Sequence, residues 1–184
     1  AKMVAGARER LRGMTNVELI EGDCLVAPVG GTFQGAFFGG MLMYLNREDA
    51  VRLLARVAEL VPEGRIILRE SGSRSRVEIK TGEYHVAYRS PAEYAAIAAD
   101  AGLRMAAVER NRGYARMEVA VEAVNLVRRL PMLSRRDPAV VGIPMWQALR
   151  LTATLTLELL PRTIQAVGID WPHLRNNFIL LEHR

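Results

Sequence analysis

The sequence predicts an α/β protein: a doubly wound, mostly parallel sheet with a largely helical insertion before its last strand. Three observations carry this. Short apolar runs of strand length alternate with helical stripes over residues 3–109. The runs at 33–38 and 66–68 are short and largely apolar, as suits buried parallel strands. A long apolar stretch, 111–176, then separates this pattern from one more strand-like run at 177–182.

Each element has its own local cause. Residues 3–11 put apolar or small side chains on one helical face and stop at Gly13. Residues 17–21 alternate as a short strand closed by Gly22-Asp23, and a loop with Pro28, Gly30 and Gly31 leads to the strand at 33–38. Asn46 is a good N-cap, with Glu48 and Asp49 in the first turn. The helix that follows carries Ala50, Leu53, Leu54, Val57 and Leu60 on one stripe until Pro62-Glu63-Gly64 stops it. A buried strand at 65–69 comes next, then a polar, loop-like stretch at 71–84. Ser90-Pro91-Ala92-Glu93 supplies a helix start with an N-cap, Pro at N1 and Glu at N3. That helix ends at Ala101-Gly102, and 103–109 reads as a strand. The segment 149–159 fits both a strand, by strict alternation, and a helix, by its leucines and flanking prolines; the helix is the preferred reading.

Composition narrows the function. With 184 residues, 50% of them hydrophobic and 24% charged, the chain can bury a full core. Cys24 alone excludes an internal disulfide framework and a CxxC zinc site. His173 and His183 lack partners at metal spacing, so no metal is expected. The net charge of +5 resembles a nucleic-acid signal until its residues are sorted. Only Lys2 and Lys80 are lysines, and the arginines are scattered rather than clustered, so no nucleic-acid partner is expected. No secretory h-region and no spanning stretch occurs, which gives a cytoplasmic expectation. The chain opens inside a helical pattern, without an initiator Met or an N-cap, and the expectation is that the natural protein begins some tens of residues earlier.

Three segments in order carry a resemblance: Val17-Glu-Leu-Ile-Glu-Gly-Asp-Cys24, Phe33-Gln-Gly-Ala-Phe-Phe38 and Leu60-Val-Pro-Glu-Gly-Arg-Ile-Ile-Leu-Arg-Glu70. Together with Tyr88-Arg-Ser-Pro-Ala-Glu-Tyr94 and Ala101-Gly102-Leu103, they resemble the later part of a class I S-adenosylmethionine-dependent methyltransferase of Rossmann-like fold. The resemblance divides the chain into a core at 1–110 and 177–184 and an insertion at 111–176. It implies S-adenosylmethionine as cofactor and methyl transfer to an oxygen of a small, glycan-linked or lipid-like acceptor. The family's Gly-rich loop after its first strand, and the acidic end of its second, do not occur here. That leaves an alternative: a non-catalytic domain that keeps the fold as a binding or assembly partner.

The resemblance also places candidate residues. Asp23 and the Cys24 N–H would meet the adenine, at the strand edge where open α/β sheets bind ligands; Gly22-Asp23 could equally be a plain turn. Phe38, Gly39, Gly40 and Met41 would line the cofactor, the glycines admitting close approach; a turn with core residues is the bland alternative. Glu70, Tyr84, Tyr88 and Arg89 would face the acceptor, and His85 is the candidate base. The turn after Phe38 lacks the Asn/Asp-Pro-Pro-Tyr of nucleobase amino-methylation. The insertion, with Trp146, Met132 and Met145, would form an acceptor wall or a homodimer contact.

Overall fold

The structure is a computed structural model and describes residues 2–73, 77–81, 84–111, 113–114, 147–148, 151–152, 155, 167 and 175–184. Helix α1 (Lys2–Arg10) comes first, and Gly13 follows it with φ of 88°. Strand β1 (Gly35–Gly39) leads through a 3-10 turn (Leu42–Tyr44) into α2 (Arg47–Leu60) and β2 (Arg65–Gly72). A hairpin of β3 (Val77–Thr81) and β4 (Tyr84–Tyr88) precedes α3 (Pro91–Asp100), β5 (Leu103–Arg110) and β6 (Arg175–His183).

Both main helices start as their sequences dictate. The Asn46 side chain accepts the Asp49 N–H at 2.8 Å. Ser90 and Glu93 close a reciprocal capping box with Pro91 in the first turn, so two otherwise orphaned N–H groups are satisfied. From these starts α2 delivers Ala50 and Leu54, and α3 delivers Tyr94, Ile97 and Ala98, into one core with Ile66, Leu68, Leu103, Ile179 and Leu181.

The strand order is β1-β2-β6-β5. β1 runs parallel to β2, whereas β6 runs antiparallel to both β2 and β5. The sheet is therefore mixed rather than mostly parallel. The reason lies in the register: Arg110, the last residue of β5, faces Asn177 near the start of β6, so the returning chain reverses without a crossover. Helices α2 and α3 share one core on one face of the sheet. Right-handed crossovers that progress across a sheet in one direction put their helices on one side. The opposite face leaves Phe37 62% exposed, with Ile67 paired to it on β2 and Phe178 exposed further across on β6.

Two other expectations change. Residues 17–21 form no strand; Val17 and Ile20 are exposed, and no described strand lies beside them to pair their backbone groups. The stretch read as loop-like contains the β3–β4 hairpin, because Val77 and Ile79 alternate with Glu78 and Lys80 and find partners in Tyr84–Tyr88. The hairpin is stitched to β2 by a parallel bridge between Gly72 and Arg89. Gly72 is required there, since a Cβ would collide with the Arg89 carbonyl. Within 149–159 the described residues Leu151, Thr152 and Leu155 are helical, and the Thr152 hydroxyl donates to the Ala148 carbonyl at 2.9 Å.

Candidate functional site

The carboxyl ends of β1 and β2 lie side by side, with Gly39 opposite Arg69. Gly40 turns the chain there with φ of 76°, in a region that favours glycine. The next residues are held from below. The Glu70 carboxylate accepts the N–H groups of Met41 at 2.8 Å, Leu42 at 3.0 Å and Met43 at 3.4 Å. Arg89, arriving from the end of β4, donates to the carbonyls of Leu42 at 2.7 Å and Leu45 at 2.5 Å. Both side chains are 1% exposed. Burial pushes the Glu70 carboxyl above its usual range, while the three N–H donors and then the Arg89 charge pull it back in part.

This corrects the reading of Glu70 and Arg89 as acceptor-facing groups. Position at a strand end suggested outward display, but each side chain folds under the turn to satisfy backbone groups that would otherwise be buried unpaired. Phe38 is half-buried and packs against the hydrophobic core. Met41 is half-buried.

Asp23 and Cys24 lie on a separate turn. The Asp23 carbonyl accepts the N–H groups of Val26 at 3.0 Å and Ala27 at 2.7 Å, and its Oδ1 accepts the Leu25 N–H at 2.9 Å. Asp23 is thus a turn former, and its side chain is exposed with Oδ2 bonded to nothing among the described residues. The Cys24 thiol is half-buried, 3.7 Å from Asp23 Oδ1. Burial and then the Asp23 charge push it above its usual range.

His85 and Tyr88 sit on β4, which packs against the 3-10 turn. His85 Nε2 faces the Glu78 carboxylate across the hairpin at 3.8 Å. Tyr84 opens β4 opposite Thr81, and Trp146 lies outside the described residues. His183 is occupied elsewhere, its Nε2 lying 2.7 Å from the Val61 carbonyl. Among the described residues no group of His, Cys, Asp and Glu could hold a metal, and no helix is long and apolar enough to cross a membrane. A cavity of about 410 Å³ opens at the ends of β2 and β5, lined by Gly72, Ser73, Ser90, Arg110, Arg175 and Asn177.

Sequence reasoning missed Arg56, which anchors the Asp23 turn to α2. The one signal available was its place at the margin of the apolar stripe, one turn from Leu53 and Leu60.

No known protein family's sequence profile matches the chain, and no curated protein does. Solved structures do. Coclaurine N-methyltransferase, bound to N-methylheliamine and S-adenosylhomocysteine, superposes with a TM-score of 0.59 and 11% identity, over 99% of this chain and 58% of its own. An O-methyltransferase from a trans-AT PKS multienzyme of Brevibacillus brevis, in complex with S-adenosyl-L-homocysteine, gives 0.56 and 10% over 100% of this chain and 55% of its own. A SAM-dependent methyltransferase from Leishmania major gives 0.53 and 20% over 60% and 45%. The fold is that of the class I S-adenosylmethionine-dependent methyltransferases. The chain spans about half the length of the solved structures it matches.

Proposed function

We propose that the chain serves S-adenosylmethionine-dependent transfer of a methyl group to an oxygen of a small, glycan-linked or lipid-like acceptor. One observation carries this: the β1-β2-β6-β5 sheet, with β6 reversed between β2 and β5, belongs to a fold shared with methyltransferases crystallised with S-adenosylhomocysteine. The residues present fit the cofactor. Asp23 offers an exposed carboxylate oxygen, and Gly39 and Gly40 leave the end of β1 without side chains.

S-adenosylmethionine supplies an electrophilic sulfonium methyl. The chain's own contribution is positioning and exclusion of water. Asp23 accepts from the adenine amino group, and the Cys24 N–H donates to a ring nitrogen. Gly39, Gly40 and Met41 form the wall beside the methyl donor, kept in shape by Glu70 and Arg89. His85 takes the acceptor's hydroxyl proton, its Nε2 lying 3.8 Å from the Glu78 carboxylate. Tyr84, Tyr88 and Trp146 border the acceptor, which enters by the cavity beside Ser73 and Arg110. Residues 111–176 form the acceptor wall or a homodimer contact, and the protein works in the cytoplasm.

The test is calorimetry with S-adenosylhomocysteine on the product of the full reading frame. Binding is expected, and Asp23→Ala should weaken it about tenfold or more, the worth of a charge-assisted hydrogen bond. No binding, or equal affinity in the variant, would overturn the reading.

A further inference from the structure

The Asp23 turn has an unusual support. Among the described residues the segment that enters it, 17–21, lies in no strand. Arg56 of α2 reaches across instead. Its Nη1 donates to the Cys24 carbonyl at 3.1 Å and its Nη2 donates to the Ala27 carbonyl. These two acceptors bracket the turn in which the Val26, Ala27 and Leu25 N–H groups all donate to Asp23. Arg56, Cys24 and Leu25 are half-buried and Ala27 is buried, which shields the contact from solvent. A planar guanidinium that grips two carbonyls fixes orientation as well as distance, which a single ammonium cannot do.

We infer that Arg56 is the positioning residue of the adenine pocket, setting where the Asp23 carboxylate and the Cys24 N–H meet the base. It acts through them and does not touch the ligand. The inference rests on the reading of Asp23 and Cys24 given above. Its consequence is selectivity: Arg56 decides how well the site separates an amino-bearing purine from one that carries a carbonyl at the same position.

The experiment measures affinity for S-adenosylhomocysteine and for its hypoxanthine counterpart, S-inosylhomocysteine, using the product of the full reading frame. Parent, Asp23→Ala, Arg56→Ala and Arg56→Lys are compared, with thermal unfolding followed alongside. The parent should prefer the adenine ligand by about tenfold or more, since a site built to accept from an amino group is left with an unmatched acceptor by the other base. Arg56→Ala should lose most of that preference while unfolding cooperatively, and Arg56→Lys should keep part of it. A merely structural role would lower stability, or both affinities together, and leave the ratio intact; that result overturns the inference. Should the alanine variant fail to fold, Arg56→Lys and Arg56→Gln decide, and a parental ratio in both overturns it. If Asp23→Ala loses the preference while Arg56→Ala keeps it, only the inference falls. If the parent binds neither ligand, the proposed function falls and takes the inference with it.

Discussion

Glu70 shows what a single buried carboxylate can do. It caps the three successive N–H groups of Met41, Leu42 and Met43, much as an Asp caps a helix, but from a neighbouring strand. Its folded-state pKa lies above that of the unfolded chain, near 4.5, because burial outweighs the donors. The folded protein therefore holds this proton more tightly than the unfolded one. The stabilisation is complete below the unfolded value and is lost as pH rises through the raised folded value. Glu70→Gln removes that dependence and sets an amide N–H against a backbone donor, at a cost of about 1–3 kcal/mol. Urea unfolding of parent and variant should show the parent losing its advantage as pH rises above about 4.5; a gap independent of pH would contradict this. Nothing in the residues around Glu70 reveals such a role. Strand position tells where a Cα lies, and the direction in which a long side chain folds back depends on which backbone groups the turn leaves orphaned.

Elements whose signals are local were readable. Ser90-Pro91-Ala92-Glu93 contains its whole explanation within four residues, and the structure shows the capping box. Ser90→Ala should cost about 1 kcal/mol, lowering Tm by roughly 2–4 °C for a chain of this size. An unchanged Tm would mean that the start of α3 is held by packing alone. Elements that depend on a partner were not readable. Residues 17–21 have the alternation of a strand, yet alternation supplies only the faces and not the neighbouring backbone. The β3–β4 hairpin errs the other way. Its polar residues disguise a ladder that Tyr84–Tyr88 completes. In the candidate site the same division holds: Asp23 and Gly40 were visible from turn chemistry, whereas Arg56 needed knowledge of what crosses from α2.

At the scale of the molecule, the direction of β6 fixes how the long connection is carried. Its two ends are pinned together: the Asn111 N–H donates to the Asn176 carbonyl at 2.9 Å, and the Asn111 side-chain amide donates to Asn176 Oδ1 at 3.0 Å. The Asn176 amide continues to Ser71 Oγ at 3.1 Å, which locks the junction to β2. A short Gly/Ser linker in place of residues 115–172 should therefore close without strain. The expected result is unchanged S-adenosylhomocysteine affinity by calorimetry, together with loss of turnover, a changed oligomeric state, or both. Loss of cofactor binding with the sheet still folded would show that the connection belongs to the cofactor site.

The place of β6 in the sheet also bears on synthesis. β2 and β5 do not pair with each other; β6 lies between them and bonds to both. On a ribosome, β1, α2 and β2 can associate early, because their contacts are close in sequence. The β5 side has no sheet to join until residues 175–183 emerge. Until then Leu68 and Leu103, which end fully buried, lack the Ile179 and Leu181 side chains that close the core between them. A nascent chain of this protein thus carries an open seam through its middle, the kind of surface that chaperones hold, and of the described strands the one that seals it comes latest in the sequence.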